Sequence, residues 1–425
     1  VSIIHDLAAI AKRTLGGMPD VWHIHNHALG KNLIMSDVVY HLVQQGQRVL
    51  LQIHDFAEDG RPENYKFLRN NLCPETPKLL GARLYPQGTH IHYALINQRD
   101  LNFLKIAGLD LQQLHYLPNA VSMEEDSQKG VLPDKDERLS SQCAQRLFLY
   151  PARAIRRKNL GEFLLWAAIA ERYDVFAIAR APKNPLARPI YADWVNFAQS
   201  LQLPIKFEAG TQWQGNFPSL LKSAHALVTT SVAEGFGLAF LEPWLVMRPL
   251  VGRNLAEITD AIQSAGLDLT DLYHHLKIPL EWVGKQRFHQ EVSQQVQNAY
   301  EAYGRIAQKH DIDCAVSAAV EDNYIDFGKL HEDLQKPVIE RLVRSMSSRS
   351  EITPSALKPK EEQHERIHRN YTIVKEQFNL HQYSNRLLRL YQTVAASETG
   401  PIGQLNAEVL LDQFLAPERF CLLRT

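Results

Sequence analysis

The 425-residue chain has few cysteines, no long apolar run and almost no net charge, and each of these absences excludes a class of protein. Cys73, Cys143, Cys314 and Cys421 lie far apart without a Cys-x-x-Cys pair, which argues against a disulfide scaffold or a zinc cluster and fits reduced thiols. The longest apolar stretch, near 163–170, is too short to cross a bilayer, and we find no signal peptide. A net charge of −1 implies no nucleic-acid partner. We therefore expect a cytoplasmic protein without a transmembrane segment, for which peripheral membrane association stays open.

What is present is typical of a globular protein with more than one domain. Hydrophobic residues make up 45% and charged residues 22%, as in ordinary globular proteins. A chain of 425 residues is longer than a domain with a single hydrophobic core usually is. Strand-like and helix-like segments alternate from Val21 onward, which predicts parallel sheets covered by helices. The predicted strands are 20–25, 48–54, 90–96, 114–117, 147–150, 175–179, 205–207, 226–230 and 249–251. The predicted helices are 2–13, 33–45, 98–106, 159–170, 190–201, 217–223 and 238–246.

The pattern divides the chain into two domains. Residues 1–140 form the first, which is expected to lack its first strands because the chain opens on a helix. Residues 123–142 are polar and read as the linker. Residues 141–395 form the second domain, with a helical insertion at about 260–323, an exposed loop at 345–360 and long helices over 361–396. The tail 396–425 is expected to pack back on the first domain.

The strongest motif is Glu-Gly-Phe-Gly-Leu-Ala-Phe-Leu-Glu-Pro at 234–243, between a predicted strand and a predicted helix. Its two glycines let backbone approach a ligand, and free N–H groups at a helix start favour a diphosphate. Glu234 and Glu242 are eight residues apart and can face one cleft, where carboxylates accept hydrogen bonds from sugar or ribose hydroxyls. The predicted donor-binding residues are Gly235, Phe236, Gly237, Leu238 and Glu242.

A second motif, Tyr-Pro-Ala-Arg-Ala-Ile-Arg-Arg-Lys-Asn at 150–159, also follows a predicted strand. Arg153 and Lys158 would project from the carboxyl end of that strand, which is the ligand side of an open α/β sheet. Two cations there can neutralise a departing diphosphate. The alternative is a solvated basic loop, and at least two of the four basic residues are expected to be no more than that.

Together these motifs resemble the C-terminal domain of the retaining glycosyltransferases of family 4, a group similar in fold to glycogen synthase and sucrose synthase. The resemblance covers 147–257 well; it is weaker at 20–25, 51–55 and 115–121, where Ala120 replaces a favoured glycine. It implies the GT-B fold: α/β, with two doubly wound Rossmann-like domains facing a cleft. The insertion at 260–323 departs from the family.

The resemblance also implies a function: retaining transfer of a sugar from a nucleotide-diphosphate sugar to an unknown acceptor, which is a saccharide, a lipid or a small molecule. It assigns the catalytic roles to Glu234, Arg153, Lys158 and His54. Arg and Lys supply the positive charge, so no metal and no other cofactor is expected.

The alternation of His23, His25 and His27 predicts that all three lie on one face of an extended strand. Histidines in this pattern also bind metals in amidohydrolase barrels, but no further ligand set is convincing. We expect His25 and His27 to line the cleft mouth and His23 to be structural. Trp213 follows a predicted strand, where stacking on a base and simple packing are equally favoured.

Three other functions remain open. A GT-B epimerase or phosphorylase would share the architecture, and a non-catalytic nucleotide-sugar-binding subunit would share the donor site. A metal-dependent hydrolase is the most distant alternative.

Overall fold

The computed structural model describes residues 2–73, 79–123, 145–352 and 363–424, which divide into two compact units. The first unit takes the described residues of 1–120, 294–312 and 380–419, and the second takes those of 121–293, 313–379 and 420–425. The predicted boundary at 140 and nearly all of the predicted linker lie outside the described residues. The domain limits therefore stay a prediction, although residues 380–396 belong to the first unit and the insertion contributes to both.

Nine of the fifteen strands in the described residues lie close to the predicted bounds, and the other six were not predicted. In order all fifteen are β1 (Trp22–His25), β2 (Val49–Ile53), β3 (Pro86–Gln87), β4 (Ile91–Leu95), β5 (Leu114–Tyr116), β6 (Arg146–Arg153), β7 (Asp174–Arg180), β8 (Ile205–Lys206), β9 (Ala226–Thr229), β10 (Leu250–Arg253), β11 (Leu272–Tyr273), β12 (Lys277–Pro279), β13 (Val320–Glu321), β14 (Tyr324–Asp326) and β15 (Gly403–Gln404).

The α-helices alternate with the strands through most of the chain. In order they are α1 (Ser2–Leu15), α2 (Leu33–Gln44), α3 (Pro62–Leu72), α4 (Leu80–Leu84), α5 (Gln98–Ile106), α6 (Leu160–Ala168), α7 (Arg188–Ser200), α8 (Ala209–Gln212), α9 (Phe217–Ser223), α10 (Glu242–Leu245), α11 (Ala256–Ser264), α12 (Lys285–Ala302), α13 (Lys309–Ser317), α14 (Glu332–Arg344), α15 (Met346–Glu351), α16 (Gln363–Gln377), α17 (Leu380–Ala396) and α18 (Ala407–Leu415).

The first unit is built on a four-stranded parallel sheet in the order β1-β2-β4-β5. Every residue of β2 is buried, because the sheet is covered on both faces. Leu51 packs into the main core of the unit, whereas Leu50, on the opposite face, packs with Val394 of α17. Helix α17 therefore covers one face of a sheet whose strands all lie within residues 22–116.

The second unit is built on a six-stranded parallel sheet in the order β11-β10-β9-β6-β7-β8. Counted along the unit, this is the 3-2-1-4-5-6 order of a doubly wound fold. The chain winds outward through β7 and β8, then returns to the other side of β6 to form β9. The direction of winding therefore reverses between β6 and β9, and crevices outside the carboxyl ends of strands at such a point are where ligands bind.

The α/β fold with parallel sheets is confirmed, and the predicted helical insertion holds α12 and α13, but the sequence did not predict the short strands of that segment. Residues 260–323 hold β11, which extends the parallel sheet, and β12 and β13, which join β14 in a small antiparallel sheet. Strands of two or three residues carry too little periodicity to be recognised in sequence. The predicted exposed loop at 345–360 is also wrong in part, because α15 forms there with Ser345 as its N-cap; residues 353–360 lie outside the described part.

Candidate functional site

The loops that follow β6 and β9 are tied together by buried hydroxyl groups. The Tyr150 hydroxyl donates to the carbonyl oxygen of Lys158 at 3.0 Å and lies 2.8 Å from the Ser231 hydroxyl. The Thr230 hydroxyl donates to the same carbonyl at 3.0 Å. Both loops therefore hold a fixed position at the reversal point of the sheet, with the Lys158 backbone as their junction.

Asn159 explains how the loop after β6 turns into helix α6. Its backbone is left-handed (φ 52°, ψ 60°), a conformation that asparagine tolerates better than most residues, and its side chain caps α6 by accepting from the Glu162 backbone N–H. Gln335 donates to the same Asn159 oxygen at 2.9 Å. The residue before it, Lys158, is thereby held at the start of the helix with its side chain clear of the cap.

Two predicted site residues meet directly. The Lys158 ammonium donates a hydrogen bond to the Glu234 carboxylate, and the two side chains are 14% and 8% exposed. A largely buried carboxylate needs such a partner. Because an ammonium has three donors, this contact leaves Lys158 with further donors for a ligand.

Gly237 shapes the turn between the two acids. Its backbone is left-handed (φ +88°), and a Cβ atom there would lie 2.9 Å from atoms of Ile258 and Phe240. The predicted helix over 238–246 is wrong in extent, since Leu238–Phe240 forms a 3-10 turn and α10 spans only Glu242–Leu245. So short a helix contributes little dipole, and an anion at this site would depend on side-chain cations instead.

Glu242 is partly buried within electrostatic reach of the other charged groups. Burial raises the pKa of its carboxyl group. Lys158 and Arg180 act in the opposite direction, and Glu234 adds to the increase. The two acids of the motif therefore share an electrostatic environment with Lys158, as the sequence predicts.

Arg153 and Arg180 end neighbouring strands in register. Arg153 is the last residue of β6, Arg180 is the last of β7, and the two are Cα partners in the parallel pairing. Both are exposed. Arg180 was not singled out from the sequence, although it closes an apolar strand as Arg153 does; that repeated pattern was the available signal.

The neighbouring basic residues have structural contacts. Arg156 forms a two-pronged ion pair with Glu332 at 2.9 Å, and the pair borders a pocket of about 190 Å³ that is also lined by Ile155 and Trp194. The carbonyl oxygen of Arg157 accepts from the Val232 N–H at 2.9 Å. Arg156 thus faces a different set of residues from Lys158, which turns toward Glu234.

A buried ionic cluster includes Glu162, which lies in the first turn of α6. Arg253 donates to Glu162 at 2.6 Å and to Asp326 at 2.7 Å, and all three side chains are less than 10% exposed. Although burial alone would raise the pKa of Asp326, the adjacent Arg253 guanidinium holds it well below its usual range. Asn159 also donates to Glu162 at 2.7 Å, so the cluster connects to the loop that carries Lys158.

The fourth predicted catalytic residue, His54, lies in the first unit at the carboxyl end of β2. Its Nε2 is 3.0 Å from Nδ1 of His25, and the two rings stack with centroids 5.3 Å apart. His23 instead bonds to Tyr391 and Gln52 at 2.8 and 3.0 Å, in keeping with a structural role. Burial lowers the pKa of His25 and His54, which favours neutral imidazoles.

The expectation that His27 shares a face with His23 and His25 is wrong. Strand β1 ends at His25, and Asn26 has a left-handed backbone (φ 50°), so the alternation stops there. His27 is 1% exposed and its Nε2 lies 2.6 Å from the Leu84 carbonyl oxygen. It is a core residue and lines no surface.

Three further observations bear on the sequence expectations. Trp213 is 40% exposed and its indole N–H donates to the Ser219 hydroxyl at 2.8 Å, so stacking on a base remains untested. Across residues 2–73, 79–123, 145–352 and 363–424, no three His, Cys, Asp or Glu side chains are grouped to hold a metal ion. No helix in those ranges is both long and apolar enough to span a bilayer.

A comparison with known proteins finds a glycosyltransferase that is similar to this chain over most of its length. Mannosylglucosyl-3-phosphoglycerate synthase of Petrotoga mobilis (strain DSM 10674 / SJ95), a glycosyltransferase, is 25% identical over 392 residues, covering 90% of this chain and 75% of that protein. The predicted resemblance to glycosyltransferases is thereby confirmed. No family model matches the chain.

Solved structures of glycosyltransferases also align with most of the chain. Sucrose-phosphate synthase from Thermosynechococcus elongatus is 14% identical with a TM-score of 0.47, covering 93% of this chain and 77% of that one. The Anabaena protein HepE in complex with UDP is 10% identical with a TM-score of 0.49, covering 92% and 82%.

Proposed function

We propose that this protein is a retaining glycosyltransferase that takes a sugar from a nucleotide-diphosphate sugar and needs no metal ion. One observation carries the proposal: Lys158 bonds to Glu234 at the reversal point of the sheet, with Glu242 in electrostatic reach and Arg153 at the end of β6. Residues 76 positions apart are brought together where this fold binds ligands. The relative from Petrotoga mobilis supports the class of reaction.

The roles follow from the charges. Arg153 and Lys158 stabilise the negative charge that grows on the diphosphate as the bond to the sugar breaks. Glu242 accepts hydrogen bonds from the ribose hydroxyls. Glu234, whose position Lys158 fixes, accepts from hydroxyls of the transferred sugar and orients its anomeric carbon.

The reaction then balances without an added base. The bond between the anomeric carbon and the diphosphate oxygen breaks, and its electron pair leaves with the diphosphate. The acceptor hydroxyl oxygen bonds to the anomeric carbon on the same face, and its proton passes to the departing phosphate oxygen. Configuration is therefore retained. Two cations in a partly buried site supply the charge that a metal ion would otherwise provide.

The acceptor is best sought among phosphorylated small acids and their glycosides. The name of the Petrotoga mobilis relative describes a product that joins mannosyl and glucosyl units to 3-phosphoglycerate. We propose 3-phosphoglycerate and a glycoside of it as the first acceptors to test. A neutral disaccharide of similar size is the matched control.

The test begins with thermal shifts against a panel of nucleoside diphosphates and nucleotide sugars, because a ligand that binds the native state raises its apparent stability. The preferred nucleotide sugar is then incubated with acceptors, and free nucleoside diphosphate and the anomeric configuration of the product are measured, with and without a chelator. We expect acceptor-dependent release, retained configuration and no effect of the chelator. Binding without turnover would favour a non-catalytic subunit, and turnover that requires inorganic phosphate would favour a phosphorylase.

A further inference from the structure

We infer that Arg180 is a third cation of the donor site and that, with Arg153, it clamps the diphosphate. This inference rests on the proposed function and adds to it a residue that the two sequence motifs do not contain. The pairing of β6 and β7 shifts by one residue between Tyr150 and Arg153, and beyond this irregularity Arg153 and Arg180 are Cα partners. The Ala154 N–H donates to the Arg180 carbonyl oxygen at 3.0 Å and fixes that register beyond the strand end.

The pairing places two like charges side by side. Strands in a parallel sheet lie about 4.8 Å apart, and residues in register point to the same face. Neither guanidinium forms a salt bridge with a carboxylate among the described residues, and both are exposed. Two adjacent cations without a carboxylate partner repel each other. An anion that contacts both is attracted to both and removes this repulsion.

Arg180 is held in place by an aromatic ring. Its guanidinium lies over the ring of Phe217, the first residue of α9, 4.3 Å from the centroid. A cation at this distance from a ring face is attracted to it, and the contact restricts the side chain without neutralising its charge. The guanidinium is thus positioned but still able to bind an anion.

The charge balance of the site also favours this role. Glu242 is influenced by Arg180 as well as by Lys158, so the three groups act in one electrostatic environment. Arg153, Lys158 and Arg180 oppose Glu234 and Glu242, so these five side chains together carry one net positive charge. With Lys158 committed in part to Glu234, the arginine pair is the better-placed partner for phosphate oxygens, to which guanidinium groups bind in a two-pronged manner.

The test measures the affinity for inorganic pyrophosphate, which has no base or sugar, and for the nucleoside diphosphate that stabilises the protein most. Arg180→Gln should weaken both affinities about tenfold or more, as expected for a lost hydrogen bond to a charged group. Phe217→Leu, which keeps every charge, should weaken them about twofold to fivefold through loss of the ring contact. Arg188→Gln, an exposed arginine at the start of α7, is the matched control and should change them less than about twofold.

The outcomes separate this inference from the proposed function. If Arg153→Gln weakens pyrophosphate binding and Arg180→Gln does not, the inference fails while the donor site stands. If Arg180→Gln instead raises only the KM for a phosphorylated acceptor, Arg180 belongs to acceptor binding and the clamp is refuted. If the unaltered protein binds neither pyrophosphate nor any nucleoside diphosphate, the proposed function itself fails. Thermal unfolding of each variant, expected to match the parent because Arg180 is exposed, checks that the fold is intact.

Discussion

The Lys158 ammonium donates a hydrogen bond to the Glu234 carboxylate, across 76 positions of sequence and at the one place where the winding of the second sheet reverses. Lys158 is fixed by the cap of α6, and Glu234 is fixed by the ammonium that it accepts from. A substitution at Lys158 is therefore expected to change the position of Glu234 as well.

Lys158→Met should lower kcat by about 10²-fold or more, because the transition state loses a cation and Glu234 loses the partner that orients it. Steady-state kinetics with the preferred nucleotide sugar would measure this, and circular dichroism would confirm the fold. Lys183→Met, on the exposed loop after β7, is the control and should keep the parental kcat. Equal kcat values in the two variants would remove Lys158 from the mechanism.

Donor affinity should fall on acidification with a midpoint above the ordinary pKa of a glutamate. In its proposed role Glu242 accepts hydrogen bonds from the ribose hydroxyls with both oxygens, which requires the ionised form, and burial raises its pKa. The affinity for the nucleoside diphosphate, measured as a function of pH, should show this fall on the acid side (the acid limb). Glu242→Gln should abolish the acid limb. Because the pKa of Glu242 is higher in the folded than in the unfolded chain, stability falls as the pH rises from the unfolded value through the folded one, so Glu242→Gln should also be more stable than the parent at pH 7. A variant that keeps the acid limb would show that another group titrates.

Gly237→Ala should destabilise the turn between the two acids and weaken donor binding. Its left-handed backbone disfavours any side chain, and the added Cβ would press on Ile258 and Phe240, so a cost of about 1–3 kcal/mol is expected. Gly17→Ala is the control, because no atom lies within 4 Å of a Cβ placed there. Denaturant unfolding of both variants gives the comparison, and a stable Gly237→Ala protein with parental affinity would contradict the assigned turn.

Arg253→Met should destabilise the second unit by about 3–5 kcal/mol, because it leaves Glu162 and Asp326 as buried acids without their cation. Arg344→Met, which breaks an exposed pair with Glu340, should leave stability unchanged. Chemical denaturation followed by tryptophan fluorescence would report both, since Trp166 lies beside the cluster through Tyr273. Similar stabilities for the two variants would mean that the buried cluster contributes nothing net.

The stability of the first unit should rise as the pH is raised from about 4 to 6.5. Burial lowers the pKa of His23, His27 and His115 to about 4, so in this window the unfolded chain holds protons that the folded chain does not. Each such histidine contributes a slope of about 1.4 kcal/mol per pH unit. His27→Gln should flatten the measured slope by about that amount. Glu58, whose pKa burial raises to about 7, contributes in the opposite direction and supplies a second variant, Glu58→Gln, which should steepen the slope.

Much of the fold could be predicted from the sequence, because long apolar strands and amphipathic helices carry periodic signals. All nine predicted strands are found, and the helices at 98–106 and 217–223 match to the residue. Helix α3 was not predicted, although it spans 11 residues, and neither were several short elements. The strands of 272–326 are two or three residues long, and the turn at 238–240 was read as the start of a helix because its apolar residues fit either form.

The candidate site could be predicted only where a motif is local. Glu234 and Glu242 lie in one short segment, and Arg153 and Lys158 lie in another, so the two motifs and their resemblance to glycosyltransferases made them candidates. Arg180 stands alone in sequence, and its relevance depends on a register that no local pattern records. His27 was misplaced for the same kind of reason, since one left-handed residue at Asn26 ended the alternation.

The sequence by itself determined which residues are candidates for the chemistry, because glycine spacing, paired acids and cations after apolar strands are properties of the chain. The tertiary structure alone decided which of them meet: that Lys158 bonds to Glu234, that Arg180 stands beside Arg153, and that α17 covers a sheet formed by the first residues. The physical reason is that strand order and register depend on the burial of whole sheet faces, to which many residues distant in sequence contribute. A motif, by contrast, lies within a single short segment of the chain.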